Sequence, residues 1–183
     1  MENLFAHVLD DDEKIIKVFK PHKGKLFVSS IVLNSLWLFW FMIFGVFAVL
    51  FPDEGEVINK IYVLIPIGIY LAIIGVISIL TALHYKNVYY AYSNKRVIIR
   101  SGIFGVDYKS LDMSMIGAVD VYVSLLDKII KKNTGSLTFG SAASPVGGNN
   151  ASGYRFNHIK MPYETCKEIK SYIDSYKKSL NSK

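Results

Sequence analysis

The sequence has few of the residues that build enzyme active sites and metal centres. Its 183 residues include one cysteine, Cys166, which excludes an intramolecular disulfide and a cysteine cluster around a metal. The four histidines lack zinc-binding spacing, and no phosphate-binding loop, HExxH helix or nucleophile elbow is present. Basic and aromatic residues form no recognisable nucleic-acid module. We therefore predict a protein that is not an enzyme, carries no cofactor or metal and binds no nucleic acid.

Charge is missing from two long stretches, residues 26–51 and 61–83, although the chain carries a formal charge of +6. A helix rises about 1.5 Å per residue, so the shorter stretch spans roughly 34 Å, against about 30 Å for the hydrocarbon core of a bilayer. A buried helix of a soluble protein is the alternative, but two adjacent uncharged stretches of this length favour the membrane. The sequence predicts a transmembrane hairpin with a short loop at residues 52–60.

Basic residues flank the hairpin on its outer sides, and the loop at residues 52–60 is acidic. Lys and Arg accumulate on the cytoplasmic side of membrane proteins. We therefore predict a multi-pass protein of the cell membrane, with the loop outside and both termini in the cytoplasm. Residues 1–25 are charged and have no apolar core, so we expect a cytoplasmic N-terminal segment rather than a signal peptide.

Residues 84–183 have the character of a soluble domain. They hold 15 Lys and Arg against 7 Asp and Glu, so the basic excess of the chain lies here. Short stretches rich in β-branched and aromatic residues alternate with turn signals, which predicts several strands. The segment LLDKIIKKN predicts a short helical turn, and residues 161–180 predict a closing amphipathic helix. The predicted fold class is a two-helix transmembrane hairpin plus an α+β split β-barrel with a C-terminal helix.

Three segments carry a resemblance to a known family: EKIIKVFKPHKGKL at 13–26, YSNKRVIIRSGIFG at 92–105 and SMIGAVDVYVSLLDKIIKKNTGSLTF at 114–139. In order and spacing they resemble the bacterial pleckstrin-homology (PH)-like membrane proteins of the second bacterial class. The resemblance implies a two-helix hairpin that precedes a PH-like domain. It also implies that the segment at 92–105 opens this domain as its first hairpin.

The turn SNKR holds the first group of candidate contacts for a lipid headgroup or a partner. Asn94 suits a tight turn, which leaves Lys95 and Arg96 projecting, and Arg100 falls on the same strand face as Arg96. Each basic residue adds about 1 kcal/mol of attraction near an anionic membrane surface. The alternative, which we favour over a stereospecific site, is that these residues shape the turn, pack or remain solvated.

The segment DKIIKK holds the second group, Lys128, Lys131 and Lys132, which lie close together at helical spacing. One interpretation places these lysines on the inner leaflet, with Ile129 and Ile130 buried behind them. The other interpretation is a solvated helical face.

The acidic run DDDE at residues 10–13 raises the question of a metal site. Contiguous carboxylates cannot all converge on one ion, and no distant partner is recognisable in the sequence. We therefore expect a solvated patch near the N-terminus.

Together these observations favour a non-enzymatic membrane protein that displays a basic PH-like binding module at the inner leaflet. The module would bind lipid headgroups, anionic ones in particular, or an unidentified protein. The alternative is a scaffold or accessory subunit of a membrane protein complex, with no role in lipid recognition. Association into a homo-oligomer is a further expectation.

Overall fold

The structure, a computed structural model, describes residues 4–51, 62, 64–130, 133–141 and 153–182. The chain divides into two compact units, of which the first contains Met1–Lys25 and His84–Lys183 and the second contains Leu26–Leu83. The N-terminal segment therefore packs with residues 84–183. The observed unit is larger than the domain predicted at 84–183, because it also contains this segment.

Two long apolar helices account for the second unit. Helix α1 is Lys23–Leu50 and helix α2 is Leu64–Asn87, and both are long and apolar enough to cross a membrane by length and composition. Within the unit, the hydroxyl groups of Ser30 and Thr81 share a hydrogen bond of 2.8 Å. The stretches predicted to span the membrane fall largely on these helices, whereas the predicted loop at 52–60 lies outside the described residues.

A four-stranded antiparallel sheet forms one half of the first unit. Its strands pair in the order β1 (Ile15–Phe19), β2 (Tyr89–Ser93), β3 (Arg96–Ser101) and β4 (Asp107–Asp112). Strand β1 comes from the N-terminal segment and pairs with β2, with Phe19 opposite Tyr90, so α1 and α2 are inserted between two paired strands. The segment at 92–105 lies in the first hairpin of the domain, formed by β2 and β3, as the resemblance implies. Strand β1 precedes this hairpin in the sheet, so the prediction that the segment opens the domain is wrong.

A three-stranded antiparallel sheet and two helices complete the first unit. Strands β5 (Ile116–Tyr122), β6 (Thr134–Ser141) and β7 (Arg155–Lys160) pair in that order. A short 3-10 turn, Met113–Met115, joins β4 to β5, helix α3 (Leu125–Ile130) lies between β5 and β6, and helix α4 (Pro162–Asn181) follows β7. The predicted helical turn and closing helix are both confirmed.

Aromatic and branched side chains from both sheets and from α4 form the main core. Tyr90 stacks on Phe156 with ring centroids 4.7 Å apart, and Phe139 meets the same ring edge-on at 4.9 Å. Ile169 and Ile173 of α4 are buried in this cluster. Removal of such apolar surface from water contributes about 25 cal/mol per Å². The two sheets and the closing helix therefore share one core, and closure into a split barrel stays a prediction.

A smaller apolar cluster lies on the other face of the first sheet. Phe5 is fully buried against Ala91 and Ile98, which alternate along their strands with side chains of the main core. The Tyr108 hydroxyl donates a hydrogen bond of 2.8 Å to the backbone oxygen of Leu4. The N-terminal segment thus covers a sheet face that is apolar by sequence, which explains why residues 1–25 belong to this unit.

Candidate functional site

The predicted basic turn is bound by the acidic run of the N-terminal segment. Lys95 Nζ lies 2.5 Å from Asp12 Oδ1 and 3.4 Å from Asp10 Oδ2. The side chain of Asn94 accepts a hydrogen bond of 2.9 Å from the backbone N–H of Lys14. The acidic run and Lys14 therefore bind the turn through ion pairs and a hydrogen bond. This corrects the prediction that the acidic run is only a solvated patch.

Arg96 is held by the last residue of the acidic run. Its Nη2 donates to Glu13 Oε2 and to the carbonyl oxygen of Val8, both at 2.7 Å, and its Nε lies 3.1 Å from each Glu13 carboxylate oxygen. Burial alone raises the pKa of Glu13, but hydrogen bonds from Arg96 and Ser93 outweigh it and hold that pKa below its ordinary value. The charge of Arg96 is therefore neutralised within the chain.

Arg100 lies on the same strand face as Arg96, as the sequence predicts, and is also engaged locally. Its Nη1 donates to the backbone oxygen of Asn87 at 3.4 Å, and its guanidinium carbon lies 5.5 Å from the centre of the Tyr89 ring. Its Nε is buried and has no hydrogen-bond partner among the described residues. Arg100 therefore contacts the end of α2 and the start of β2, and we regard it as a residue that stabilises this junction rather than as a cation available to a ligand.

Helix α3 exposes Lys128 to solvent, whereas Lys131 and Lys132 lie outside the described residues. Ile129 is 72% exposed, which contradicts the interpretation that buries it behind the lysines, and the side chain of Ile130 lies outside the described residues. The physical reason is that this face of the helix is turned inward at Asp127, the buried residue among the α3 side chains that the structure describes.

Asp127 turns inward because it forms a buried ion pair with Lys25. Lys25 Nζ lies 3.1 Å from Asp127 Oδ1, and the two side chains are 1% and 4% exposed. The hydroxyl groups of Ser124 and Thr134 each donate to the carboxylate at 2.6 Å. Burial alone raises the pKa of Asp127. The hydrogen bonds from Ser124, Thr134 and Lys25 outweigh this effect and hold that pKa below its ordinary value. The pair fastens α3 to the residue that directly precedes Leu26.

A basic cleft of about 370 Å³ opens within the first unit, between the first sheet and β7. Its lining combines cations, neutral hydrogen-bonding groups and a few apolar side chains. The lining residues are His84, Val88, Tyr90, Ile99, Ser101, Lys109, Gly153, Arg155 and Asn157. Among the described residues no Asp or Glu lines the cleft, so its electrostatic character favours an anion.

The two cations of the cleft differ from those of the turn. Neither Lys109 nor Arg155 has a carboxylate partner among the described residues. Arg155 Nε donates to Thr138 Oγ1 at 2.9 Å, and its guanidinium carbon lies 5.8 Å from the Tyr122 ring, so the side chain is oriented while its terminal amino groups keep donor capacity. Both residues line the cleft and neither is paired with a carboxylate among the described residues, whereas Thr138 and Tyr122, the described contacts of the Arg155 guanidinium, are not part of the lining.

Two further groups of the cleft suit hydrogen bonding. Burial raises the pKa of Tyr90 to about 12, and its phenol is a neutral O–H donor at physiological pH with or without this shift. His84 Nδ1 is buried and has no hydrogen-bond partner among the described residues. The cleft therefore combines charge with neutral polar groups, as specific ligand sites do.

Of the predicted basic residues that the structure describes, none lines the cleft. The cleft was not predicted because its residues come from separate segments of two different sheets that only tertiary packing brings together, and no local pattern marks them. Across the described ranges, no three His, Cys, Asp or Glu side chains gather in a way that could hold a metal ion.

Comparison with known proteins gives one match. A family model described as "Bacterial PH domain" matches residues 31–177, which is most of the chain. Searches of curated proteins and of solved structures find no match. The matched range begins after β1 and Lys25, so the first strand and the buried ion pair are features that the structure adds to the family match.

Proposed function

The chain belongs to the bacterial PH domain family, and from that premise we propose that it is a membrane-anchored binding module whose basic cleft takes the phosphate of an anionic lipid headgroup. The family is a non-catalytic type of binding module. We therefore assign the chain no reaction of its own.

The anchor follows from where the apolar helices enter the chain. Three residues separate β1 from α1, and the single residue Val88 separates α2 from β2. A residue of extended chain spans at most about 3.6 Å, so these connectors reach no further than about 11 Å. If α1 and α2 cross the bilayer, short connectors tether the paired strands to its surface. One connector joins β1 to the start of α1, and the other joins the end of α2 to β2.

The orientation of the anchor rests on charge. The flanks of the hairpin are basic and the loop at 52–60 is acidic, so the positive-inside rule places both termini and the first unit on the cytoplasmic side. The cytoplasmic leaflet carries anionic lipids, and its surface potential attracts basic groups. Anionic headgroups are therefore the ligands that the module meets at the highest local concentration.

The observation that carries this proposal is the pair of unneutralised cations, Lys109 and Arg155, on one cleft without an acidic residue. The basic turn is a weaker candidate because Lys95 and Arg96 already bind Asp12 and Glu13. Ligand sites commonly enclose about 300–1,000 Å³, so the cleft accommodates a headgroup phosphate with its neighbouring hydroxyl groups. Hydrogen bonds to charged groups contribute about 1.5–3 kcal/mol each, and a zwitterionic headgroup would add a cation beside a lining that is already basic.

Lipid retention by the full-length protein tests this proposal. The protein is incorporated into nanodiscs that contain equal amounts of phosphatidylglycerol and phosphatidylcholine, and the lipids that remain bound on release are identified by native mass spectrometry. We expect retained phosphatidylglycerol in the wild type and a loss of about tenfold or more in the double variant Lys109→Gln with Arg155→Gln, because two charge-assisted contacts are removed.

The matched control removes the same charge elsewhere. Lys167→Gln with Lys178→Gln neutralises two exposed lysines of α4 and should retain lipid like the wild type. Equal retention in the cleft variant and the control variant would refute the headgroup site. A third arm adds inorganic phosphate: displacement of the lipid at low concentration would assign the cleft to free phosphate instead.

A protein partner is the second candidate, because β5 is an edge strand of the second sheet. A groove of about 230 Å³ lies between β5 and α4, and its lining includes Ala118, Asp120, Lys170 and Asp174. An extended peptide can add to such an edge through backbone hydrogen bonds. This geometry supports the role of a scaffold or accessory subunit that needs no lipid recognition.

A photo-crosslinking residue at Asp120 tests the second candidate in native membranes. A discrete adduct at this position, without one at Lys167, supports a partner on the β5 edge, and an adduct of twice the mass of the chain identifies a second copy. Equal labelling at both positions argues against a partner on this edge.

A further inference from the structure

The loop between β3 and β4 exposes three large apolar side chains. Phe104 is 89% exposed, and Ile103 and Val106 are about two-fifths exposed. The loop conformation is fixed at Gly102, where φ is +140° and an added Cβ would lie 2.0 Å from the backbone oxygen of Gly105. The apolar side chains are therefore presented by a defined turn.

This loop is bonded to the end of the second apolar helix. The side-chain amide of Asn87 donates to the backbone oxygens of Gly102 and Ile103, each at 3.4 Å. Asn87 is the last residue of α2 and follows Leu83 by four residues, a helical rise of about 6 Å. The exposed loop is thus fastened to the point where the chain returns from the apolar stretch.

Helix α3 presents a second exposed apolar face. Leu125 and Ile129 lie one helical turn apart and are 76% and 72% exposed, and Lys128 beside them is also exposed. This helix is fastened by the buried pair of Asp127 and Lys25, and Lys25 directly precedes the apolar stretch that begins at Leu26. The second face is thus fixed at the point where the chain departs into the apolar stretch.

If α1 and α2 cross a bilayer, chain connectivity brings residues bonded to both segments close to its surface. Each segment is bonded to a residue within four positions of a predicted span, one at each crossing between the two units. Transfer of a large apolar side chain out of water contributes about 1.5–3 kcal/mol when burial is complete. The exposed lysines Lys86 and Lys128 complement an anionic leaflet, an arrangement typical of segments that lie in the membrane interface.

We propose that the loop at residues 102–106 and helix α3 insert Phe104, Leu125 and Ile129 into the interfacial layer of the membrane that anchors the chain. This inference rests on the anchoring part of the proposed function and is independent of the cleft. The two contacts restrict rotation of the first unit at the membrane surface, because they lie at the two separate chain crossings.

Depth-dependent quenching of a fluorescent label tests the insertion in the full-length protein. In a Cys166→Ser background, the single variants Phe104→Cys, Leu125→Cys and Ile129→Cys carry an environment-sensitive fluorophore. Phe41→Cys in α1 serves as the membrane control, and Met115→Cys, also exposed but part of neither the loop at residues 102–106 nor α3, serves as the water control. Nanodiscs contain phosphatidylcholine and phosphatidylglycerol, with or without a lipid that carries a nitroxide just below the glycerol.

We expect nitroxide quenching and a blue-shifted emission at residues 104, 125 and 129, and neither change at residue 115. If residue 41 is quenched while the three test positions behave like residue 115, the inference is wrong and the anchor stands. Quenching of only one of the two segments overturns the two-point contact. If residue 41 is also unquenched, the anchor itself fails, and this inference fails with it.

Discussion

Arg96 and Arg155 carry the same charge in opposite surroundings. Arg96 donates to the buried carboxylate of Glu13 and is neutralised within the chain. Arg155 is oriented by Thr138 and lines a cleft that contains no carboxylate. Because an arginine with an internal counter-ion gains little from a second anion, the environment of each residue decides which one is available for a ligand.

At the residue scale, we predict that Glu13→Gln destabilises the first unit by about 1.5–3 kcal/mol, because it removes charge-assisted hydrogen bonds to Arg96 in a buried position. The folded pKa of Glu13 lies below its ordinary value of 4.5, so its contribution is complete above that pH and is lost as the pH falls through the folded pKa. Chemical denaturation of the full-length protein in detergent micelles at several pH values measures both effects.

The difference in stability between the wild type and Glu13→Gln should therefore shrink as the pH falls below about 4.5. Asp11→Asn is the matched control, since Asp11 is an exposed neighbour in the same acidic run. A loss in Asp11→Asn as large as the loss in Glu13→Gln would show that general charge, and not the Arg96 contact, stabilises the turn.

At the element scale, the position of α3 depends on one buried ion pair. We predict that Lys25→Met leaves Asp127 buried without its counter-ion and costs about 3–5 kcal/mol. Backbone amides of α3 should then exchange faster with deuterium, because the helix loses the contact that holds it to the start of α1. Hydrogen–deuterium exchange of the full-length protein measures the local effect.

The control for this prediction is Lys17→Met. Lys17 pairs with Glu168 at 2.6 Å, but the two side chains are 47% and 39% exposed, so the pair contributes less than about 1 kcal/mol. Exchange in α3 should be unchanged. Similar small effects of both variants would contradict the role given to the buried pair.

The elements themselves differ in how well the sequence predicts them. Helix α4 was predictable because Cys166, Ile169 and Ile173 recur at helical spacing, and all three pack on the core. The hairpin of β2 and β3 is rich in β-branched and aromatic residues on either side of a clear turn. Strand β1 has five residues, and its partner β2 lies beyond two long helices, so no local pattern indicates the pairing. The cleft is harder still, since Lys109 and Arg155 belong to different sheets and only the packing of the two sheets brings them to one cleft.

At the scale of the whole molecule, two apolar helices interrupt a sheet between its first two strands. This arrangement makes the N-terminal segment part of the domain: β1 pairs with β2, and Phe5 covers Ala91 and Ile98. A domain cut at the end of the apolar stretch lacks both contributions. Its β2 edge would be unpaired and one apolar sheet face would be bare, which promotes aggregation.

We therefore predict that residues 84–183 alone fail to fold, whereas residues 1–25 joined to 84–183 by a flexible Gly-Ser linker form a folded, soluble protein. Dispersion of amide resonances in a two-dimensional NMR spectrum and a cooperative thermal transition distinguish the two chains. A well-dispersed spectrum from residues 84–183 alone would show that the N-terminal segment is dispensable for the fold.

The most direct measurement is the distance between lipid phosphorus and arginine side-chain nitrogen. The chain contains three arginines, Arg96, Arg100 and Arg155, so arginine labelling with ¹⁵N gives a small set of guanidinium signals that single variants can assign. Solid-state NMR of the full-length protein in bilayers with phosphatidylglycerol then reports which of them lies beside a phosphate. We predict ³¹P dephasing of Arg155 and none of Arg96. Dephasing of Arg96 without Arg155, or of neither, would contradict a headgroup site in the cleft.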